Sequence, residues 1–384
     1  MAAKDEEYQG FEQGPIRPPS EAASLLIRVT RNCPWNRCTF CPVYKGEGFS
    51  LRPVDHVIQD IEAVYQEVSR LREAAPGGRG GLTHSDVSRL AGGAGDRAAF
   101  FAGVNWLASG MESVFLQDAN SLVIKPRDLV AILEHIRRRF PQVARVTSYA
   151  RSRTVARISD SELSAIRRAG LNRIHIGMES GSDKVLARVC KGVTKADQVK
   201  AGQKVKAAGM ELSEYVMPGL GGQELSEEHA RESADALNQI NPDFIRLRSL
   251  AIPPSAPLGQ EFARGEFKPL KDVEVAAEIL LFIESLSGIT SRIKSDHILN
   301  LFDEVEGRLP EDREAMAQVV RHFLAMDPEK RTVFQVGRRM GLFRTLDDLS
   351  DPGRTAQVEE VIRSMSITPE NVDDTIYELM RRFI

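Results

Sequence analysis

The stretch Arg31-Asn32-Cys33-Pro34-Trp35-Asn36-Arg37-Cys38-Thr39-Phe40-Cys41-Pro42 holds three of the chain's four cysteines, spaced C-x4-C-x2-C. Three thiolates so close together form a metal-site pattern. The apolar run before them, Ser24 to Thr30, is short and β-branched at its end, which suits a buried strand. The cysteines are therefore expected on a loop leaving the C-terminal end of a strand. Three ligands on one loop hold three corners of a 4Fe–4S cube and leave the fourth iron open to something that is not a cysteine. A structural zinc site of three cysteines and one histidine, His56 or His84, uses the same thiols. Only Cys190 remains, too little for a second cysteine-ligated cluster. Its place after apolar helix positions predicts a buried, inert thiol.

The elements that position this loop follow from periodicity. Residues 1–23 are polar and carry Pro15, Pro18 and Pro19, which predicts an extended arm and no domain ahead of the cysteines. Val54, Ile58, Ile61, Val64, Val68 and Leu71 recur at helical spacing. The glycine-rich residues 76–95 predict a flexible linker without the Lys-Ser/Thr of a phosphate loop. From Arg97 onward, helices alternate with short apolar strands, and each step turns on Gly110, Pro141, Gly170, Gly209 or Pro242. With the strand before the cysteines, this makes six strands. Repeated βα units of this kind predict a parallel sheet curled into a barrel, with its chemistry on loops at the C-terminal strand ends. Beyond Pro253-Pro254 the pattern becomes mainly helical. Arg338-Arg339 and Arg137-Arg138-Arg139 are expected on solvated helix faces.

The cysteine stretch resembles the cluster loop of the radical S-adenosylmethionine (radical SAM) enzymes. Phe40 occupies the aromatic place between the last two cysteines, and the first spacing is one residue longer than the usual C-x3-C. The resemblance implies an α/β fold: a partial (β/α)6 TIM-type barrel over residues 24–253, with a mainly helical C-terminal extension over 254–384. It implies that Cys33, Cys38 and Cys41 hold the cluster. It further implies that S-adenosylmethionine chelates the open iron, and that its reductive cleavage gives a 5′-deoxyadenosyl radical that abstracts hydrogen from an unidentified substrate. Asp118, with Ala119 and Asn120, stands where the family's Gly-Gly-Glu turn holds the methionine amino group. Ser148 and Arg151 suit the carboxylate or ribose hydroxyls. Glu179, in Glu179-Ser180-Gly181-Ser182, suits the ribose, and Gly219 and Leu220 suit the adenine. The Glu-Ser-Gly stretch is similar to that of the oxygen-independent coproporphyrinogen oxidases. Those carry a further cysteine where this chain has Val43, which speaks against porphyrin decarboxylation. His297, beside Asp296 and Asn300, is the candidate catalytic group in the extension.

Composition sets outer bounds. The 384 residues, 42% hydrophobic and 27% charged, suffice for a sizeable core. A net charge of −3 gives no clear nucleic-acid signal. No run is long and apolar enough for a bilayer, and the acidic N-terminus lacks a signal-peptide core. The expectation is a cytoplasmic enzyme with a small-molecule substrate and an electron donor such as flavodoxin or ferredoxin. The alternative is a non-catalytic iron–sulfur or zinc protein that uses the barrel as a binding module.

Overall fold

The computed structural model describes residues 7–74 and 83–380. The chain forms two compact units: Met1–Asn36, Gly46–Ile176 and Gln203–Leu212 in the first; Arg37–Lys45, Gly177–Gly202 and Ser213–Ile384 in the second.

The fold is α/β, of the partial-barrel class. Its main sheet runs in chain order: β1 (Leu25–Arg28), β2 (Ser113–Gln117), β3 (Arg145–Ala150), β4 (Arg173–Glu179), β5 (Glu211–Val216), β6 (Phe244–Leu247), β7 (Arg292–Lys294) and β8 (Gly307–Arg308). β1, β2, β3 and β4 pair in parallel, with Leu25 opposite Val114, Ser113 opposite Arg145 and Thr147 opposite Arg173. β5, β6 and β7 are also parallel; β8 returns antiparallel to β7. The β4 and β5 chains meet within each unit. In the first, the Glu211 amide donates to the Asn172 carbonyl at 2.9 Å; in the second, the Met217 amide donates to Glu179 at 2.9 Å. β7 and β8 extend the six expected strands.

In the first unit, α1 (Val54–Ala74) buries Val57, Ile61, Val64, Val68 and Leu71 as one stripe, as a 3.6-residue period requires. α2 (Arg97–Ala108) and α3 (Pro126–Arg139) follow. Trp106 of α2 meets Phe140 edge to face at 4.9 Å. α4 (Lys195–Ala207) begins in the second unit, where α5 (Gly222–Ile240) and α6 (Asp272–Ser285) precede the helical C-terminal segment. That segment is built on the buried rings of Phe302, Phe323, Phe334 and Phe343. Its last described helix is α7 (Val372–Met380). Among the described residues no helix is long and apolar enough to cross a membrane.

Several local expectations are corrected. The stretch read as a flexible linker contains a capped helix, His84–Ala91; its residues 76–82 lie outside the described ones. Arg338 and Arg339 are not on a solvated face but buried. Arg338 donates to Asp303 at 2.6 Å, and Arg339 donates to Asp272 at 2.6 Å and to the Leu299 carbonyl at 2.7 Å. Arg138 and Arg139 are exposed, but Arg137 is half-buried and donates to the Val143 and Gly170 carbonyls. Cys190 is exposed, on a left-handed residue (φ 53°) after the helix Asp183–Arg188.

Candidate active site

The cysteine loop leaves and returns through a two-stranded clasp, in which Thr30 pairs with Leu51 and Arg31 with Ser50. The Asn32 side chain donates to the Gly48 carbonyl at 2.6 Å and holds the same clasp. Cys33, Cys38 and Cys41 are half-buried thiols, none in a disulfide. The Asn36 amide donates to Cys33 Sγ at 3.4 Å, the kind of bond that stabilises a cluster sulfur ligand. The Thr39 amide donates to the Val189 carbonyl at 3.0 Å, and the Thr39 carbonyl accepts from Leu258 at 2.9 Å. Phe40 packs with Leu225 and Leu250 around Val185, Val189 and Leu220. Among the described residues no three His, Cys, Asp or Glu side chains stand preassembled as a metal cage. His56 is buried and meets Tyr8 edge-on at 5.5 Å. Three soft thiols, one of them with a backbone donor, are the donor chemistry that a cubane's irons take.

Most of the other candidate residues stand at or just after strand ends; Ser148 lies within β3. After β2, Asp118 is fully buried and takes Arg28 Nε at 3.1 Å and Nη2 at 2.8 Å. It also accepts the Asn32 amide at 3.3 Å. Arg28 in turn holds Glu12, which also binds Arg31. Asp118 thus ties the N-terminal arm to the start of the cysteine loop. Ala119 is half-buried. Buried Asn120 accepts the Arg151 amide at 3.0 Å and donates to Thr154 at 2.8 Å. This locks the ends of β2 and β3 together. Ser148 is buried and donates to the Tyr149 carbonyl. The Arg151 guanidinium lies 4.9 Å from the Trp35 ring centre, a cation–π contact that brings this arginine to the cysteine loop.

Glu179, the last residue of β4, adopts φ 64° and its Oε1 receives Lys191 Nζ at 3.0 Å. The pair is nearly buried, and Lys191 also lies 5.8 Å from the Phe40 ring centre. A Cβ on Gly177 would fall 2.3 Å from Glu179 Oε1, so a larger residue there would push the carboxylate aside. Gly181 serves packing: a Cβ there would strike the Glu232 carbonyl of α5 at 2.2 Å. Ser182 caps the next helix by accepting the Val185 amide at 3.2 Å. After β5, Gly219 has φ +88° and its amide donates to Glu278 Oε1 at 2.7 Å; Leu220 is buried.

Two features escaped the sequence reading. The first is a buried polar relay. Ser180 Oγ shares a hydrogen bond with His229 Nδ1 at 2.8 Å, and His229 Nε2 lies 3.7 Å from Glu278 Oε1. Glu278 also accepts from Ser226 and Gly219. The relay joins the Glu179–Ser182 turn to the Gly219 turn. The second is Glu214 on β5. It is 1% exposed, and neither carboxylate oxygen has a hydrogen-bond partner among the described residues. Burial raises its pKa well above the usual carboxylate range; the Glu179 charge adds to this, and Lys191 opposes it.

His297 lies partly buried in the C-terminal segment. Its Nδ1 accepts the Leu299 amide at 3.3 Å. Burial first, and then Arg248, lower its pKa to about 4. Asp296 receives Arg246 at 2.6 Å. Asn300 is buried, accepts the Ser249 amide and donates to the Leu247 carbonyl. The segment is therefore fastened to the C-terminal end of β6.

The sequence description of the Radical SAM superfamily matches residues 27–234. Two tRNA uridine(34) acetyltransferases, from Methanocaldococcus infernus and Methanocaldococcus jannaschii, are 27% and 26% identical over 142 and 141 residues. Each match covers 36% of this chain and 26% of the relative, so it spans about a quarter of those proteins' length. Among solved structures, archaeal Methanocaldococcus infernus Elp3 with an N-terminal deletion gives a TM-score of 0.38 at 19% identity, over 48% of each chain. Escherichia coli coproporphyrinogen III oxidase, described as a radical SAM enzyme, gives 0.43 at 15% identity, over 68% of this chain and 52% of that one.

Proposed function

Because the chain belongs to the radical SAM superfamily, and is therefore an enzyme of that family, we propose that it uses a 4Fe–4S cluster held by Cys33, Cys38 and Cys41 to cleave S-adenosylmethionine and open a radical reaction on a further substrate. The supporting observation is the order of the motifs. The thiol loop follows β1; Asp118 follows β2, Arg151 follows β3, Glu179 closes β4, and the Gly219 turn follows β5. When bound, cluster and S-adenosylmethionine together supply a 5′-deoxyadenosyl radical, and the chemistry is the cofactor's own.

The chain's residues bind, orient and shield. The Asn36 amide supports the Cys33 sulfur. Arg151, held over Trp35, is the carboxylate-binding arginine in this reading. Glu179, fixed by Lys191, is the acceptor for ribose hydroxyls. Gly219 and Leu220 border the adenine. The relay Ser180–His229–Glu278 keeps the last two turns in fixed register. Asp118 has Oδ2 engaged by Arg28 and the Asn32 amide, and in this reading its part is to shape the turn. Glu179→Ala should keep the cluster but weaken S-adenosylmethionine binding ten- to a hundredfold, from loss of about 1.5–3 kcal/mol of charge-assisted hydrogen bonding. Unchanged affinity, read by titrating the reduced cluster's spectrum, places the ribose elsewhere.

A small metabolite, with flavodoxin or ferredoxin as electron donor, is the first reading of the partners. A second reading, an RNA base as substrate, is favoured by the names of the two archaeal relatives. Production of 5′-deoxyadenosine in the presence of RNA, compared with metabolite fractions, separates the two.

A further inference from the structure

The N-terminal arm is fixed to the first unit at several points. Tyr8 donates to Asp60 of α1 at 2.9 Å. The Phe11 amide donates to Asp96, the N-cap of α2, at 2.6 Å, and the Phe11 side chain is buried. Gln117, the last residue of β2, accepts the Gly14 amide at 2.8 Å and donates to the Ile16 carbonyl at 2.6 Å. A Cβ on Gly14 would fall 2.7 Å from Asp118 Oδ2, the same oxygen that accepts the Asn32 amide. The arm thus passes close to the start of the cysteine loop.

Glu12 stands among these fixings. Its carboxylate takes Arg28 Nη1 at 2.6 Å, Arg31 Nε at 2.9 Å and Arg52 Nε at 3.4 Å. Arg28 ends β1, Arg31 lies on the clasp strand that runs toward Cys33, and Arg52 follows the strand that returns. Guanidiniums this close repel one another, and Glu12 touches all three. The contact is passed on. Arg52 donates to the Arg28 carbonyl at 2.8 Å, and Arg28 Nη2 donates to Asn32 Oδ1 at 3.2 Å. Asn32 takes the left-handed conformation, φ 65°, directly before Cys33. Asparagine tolerates that conformation better than most residues, but it still needs holding. Burial would raise the Glu12 pKa, yet the Arg31 hydrogen bond and the Arg52, Arg31 and Arg28 charges lower it on balance.

We propose that Glu12 is a positioning residue for Cys33: through Arg28, Arg31 and Arg52 it holds the Asn32 turn from which this thiol is presented, so the N-terminal arm takes part in forming the metal site. The inference rests on the radical SAM reading for the identity of the metal; its claim about the thiol applies equally to the metal-free chain.

The test compares the native full chain with Glu12→Gln, which keeps the size and removes the charge. In the reduced, metal-free chain, iodoacetamide labelling of each cysteine is followed by mass spectrometry, with exposed Cys190 as internal reference. Cys33 should react about fivefold faster and Cys190 at its native rate. In the anaerobically reconstituted chain, iron release to a chelator should be about tenfold faster, and the cluster's midpoint potential should move upward because the arm's negative charge is gone. Glu12→Asp, which keeps the carboxylate, should restore part of each change. If Glu12→Gln does not fold, Gly14→Ala carries the test: it pushes the arm off Asp118 without altering any charge, and should quicken Cys33 labelling about twofold. Lower urea stability with native Cys33 labelling, iron release and potential would make Glu12 purely structural and overturn the proposal. Equal acceleration of Cys33 and Cys190 would report general loosening and overturn it too. A native chain that takes up no iron sinks the radical SAM reading instead, while the Cys33 rates still decide for or against Glu12.

Discussion

Glu214 offers a quantitative check on the electrostatics beside the proposed cofactor pocket. Its carboxyl is buried, has no hydrogen-bond partner among the described residues, and feels the Glu179 charge. Its pKa is therefore raised in the folded state. The sign follows from linkage. Stability due to the protonated carboxyl is fully present below the unfolded pKa, about 4.3, and is lost as pH rises toward the folded value. Glu214→Gln keeps the size and removes the titration. The stability of the variant relative to the native chain should then climb with pH by about 1.4 kcal/mol per unit, the value of one proton. Urea unfolding at several pH values, followed by circular dichroism, reads this directly. Adding Glu179→Gln to the native chain should lessen the slope, because one of the charges that raises Glu214 is gone. Parallel stability–pH curves for the native chain and Glu214→Gln, or a gap that closes as pH rises, would refute the reasoning.

Arg339→Ala should destabilise the second unit by about 3–5 kcal/mol, because it strands the buried Asp272 carboxylate; a loss below about 1 kcal/mol in urea unfolding would show that the pair behaves as a surface contact. The His297 ring should titrate with a midpoint near 4 in proton NMR. Since the neutral ring is favoured in the fold, its contribution to stability is lost as pH falls from about 6.5 toward that midpoint, and a midpoint near 6.5 would place the ring in water.

The cysteine spacing and the Gly/Pro punctuation carried the barrel, because βα units announce themselves through local periodicity. Helices such as Asp160–Ala169 begin on a legible capping box, Ser159 with Glu162. β7 did not show: three residues, Arg292–Lys294, are too few for an alternating pattern, and their pairing to β6 is decided by tertiary structure. Arg338 and Arg339 looked like a solvated face because their partners, Asp303 and Asp272, lie far away in sequence. Glu214 stands three places after exposed Glu211, on the opposite face of β5, and its burial is decided by tertiary packing. The Ser180–His229–Glu278 relay draws on β4's exit, α5 and α6, so no local motif contains it. The candidate residues themselves were legible through order. What each does beside its neighbours was not, as Asp118 shows by turning to Arg28.

The central claim is tested most directly by one anaerobic experiment on the purified chain: iron, sulfide and zinc analysis, followed by dithionite reduction with S-adenosylmethionine and mass-spectrometric detection of 5′-deoxyadenosine. The account predicts about four iron per chain, formation of the nucleoside, and loss of both in Cys38→Ala. Bound zinc in place of iron, or a full cluster that yields no nucleoside, would contradict it.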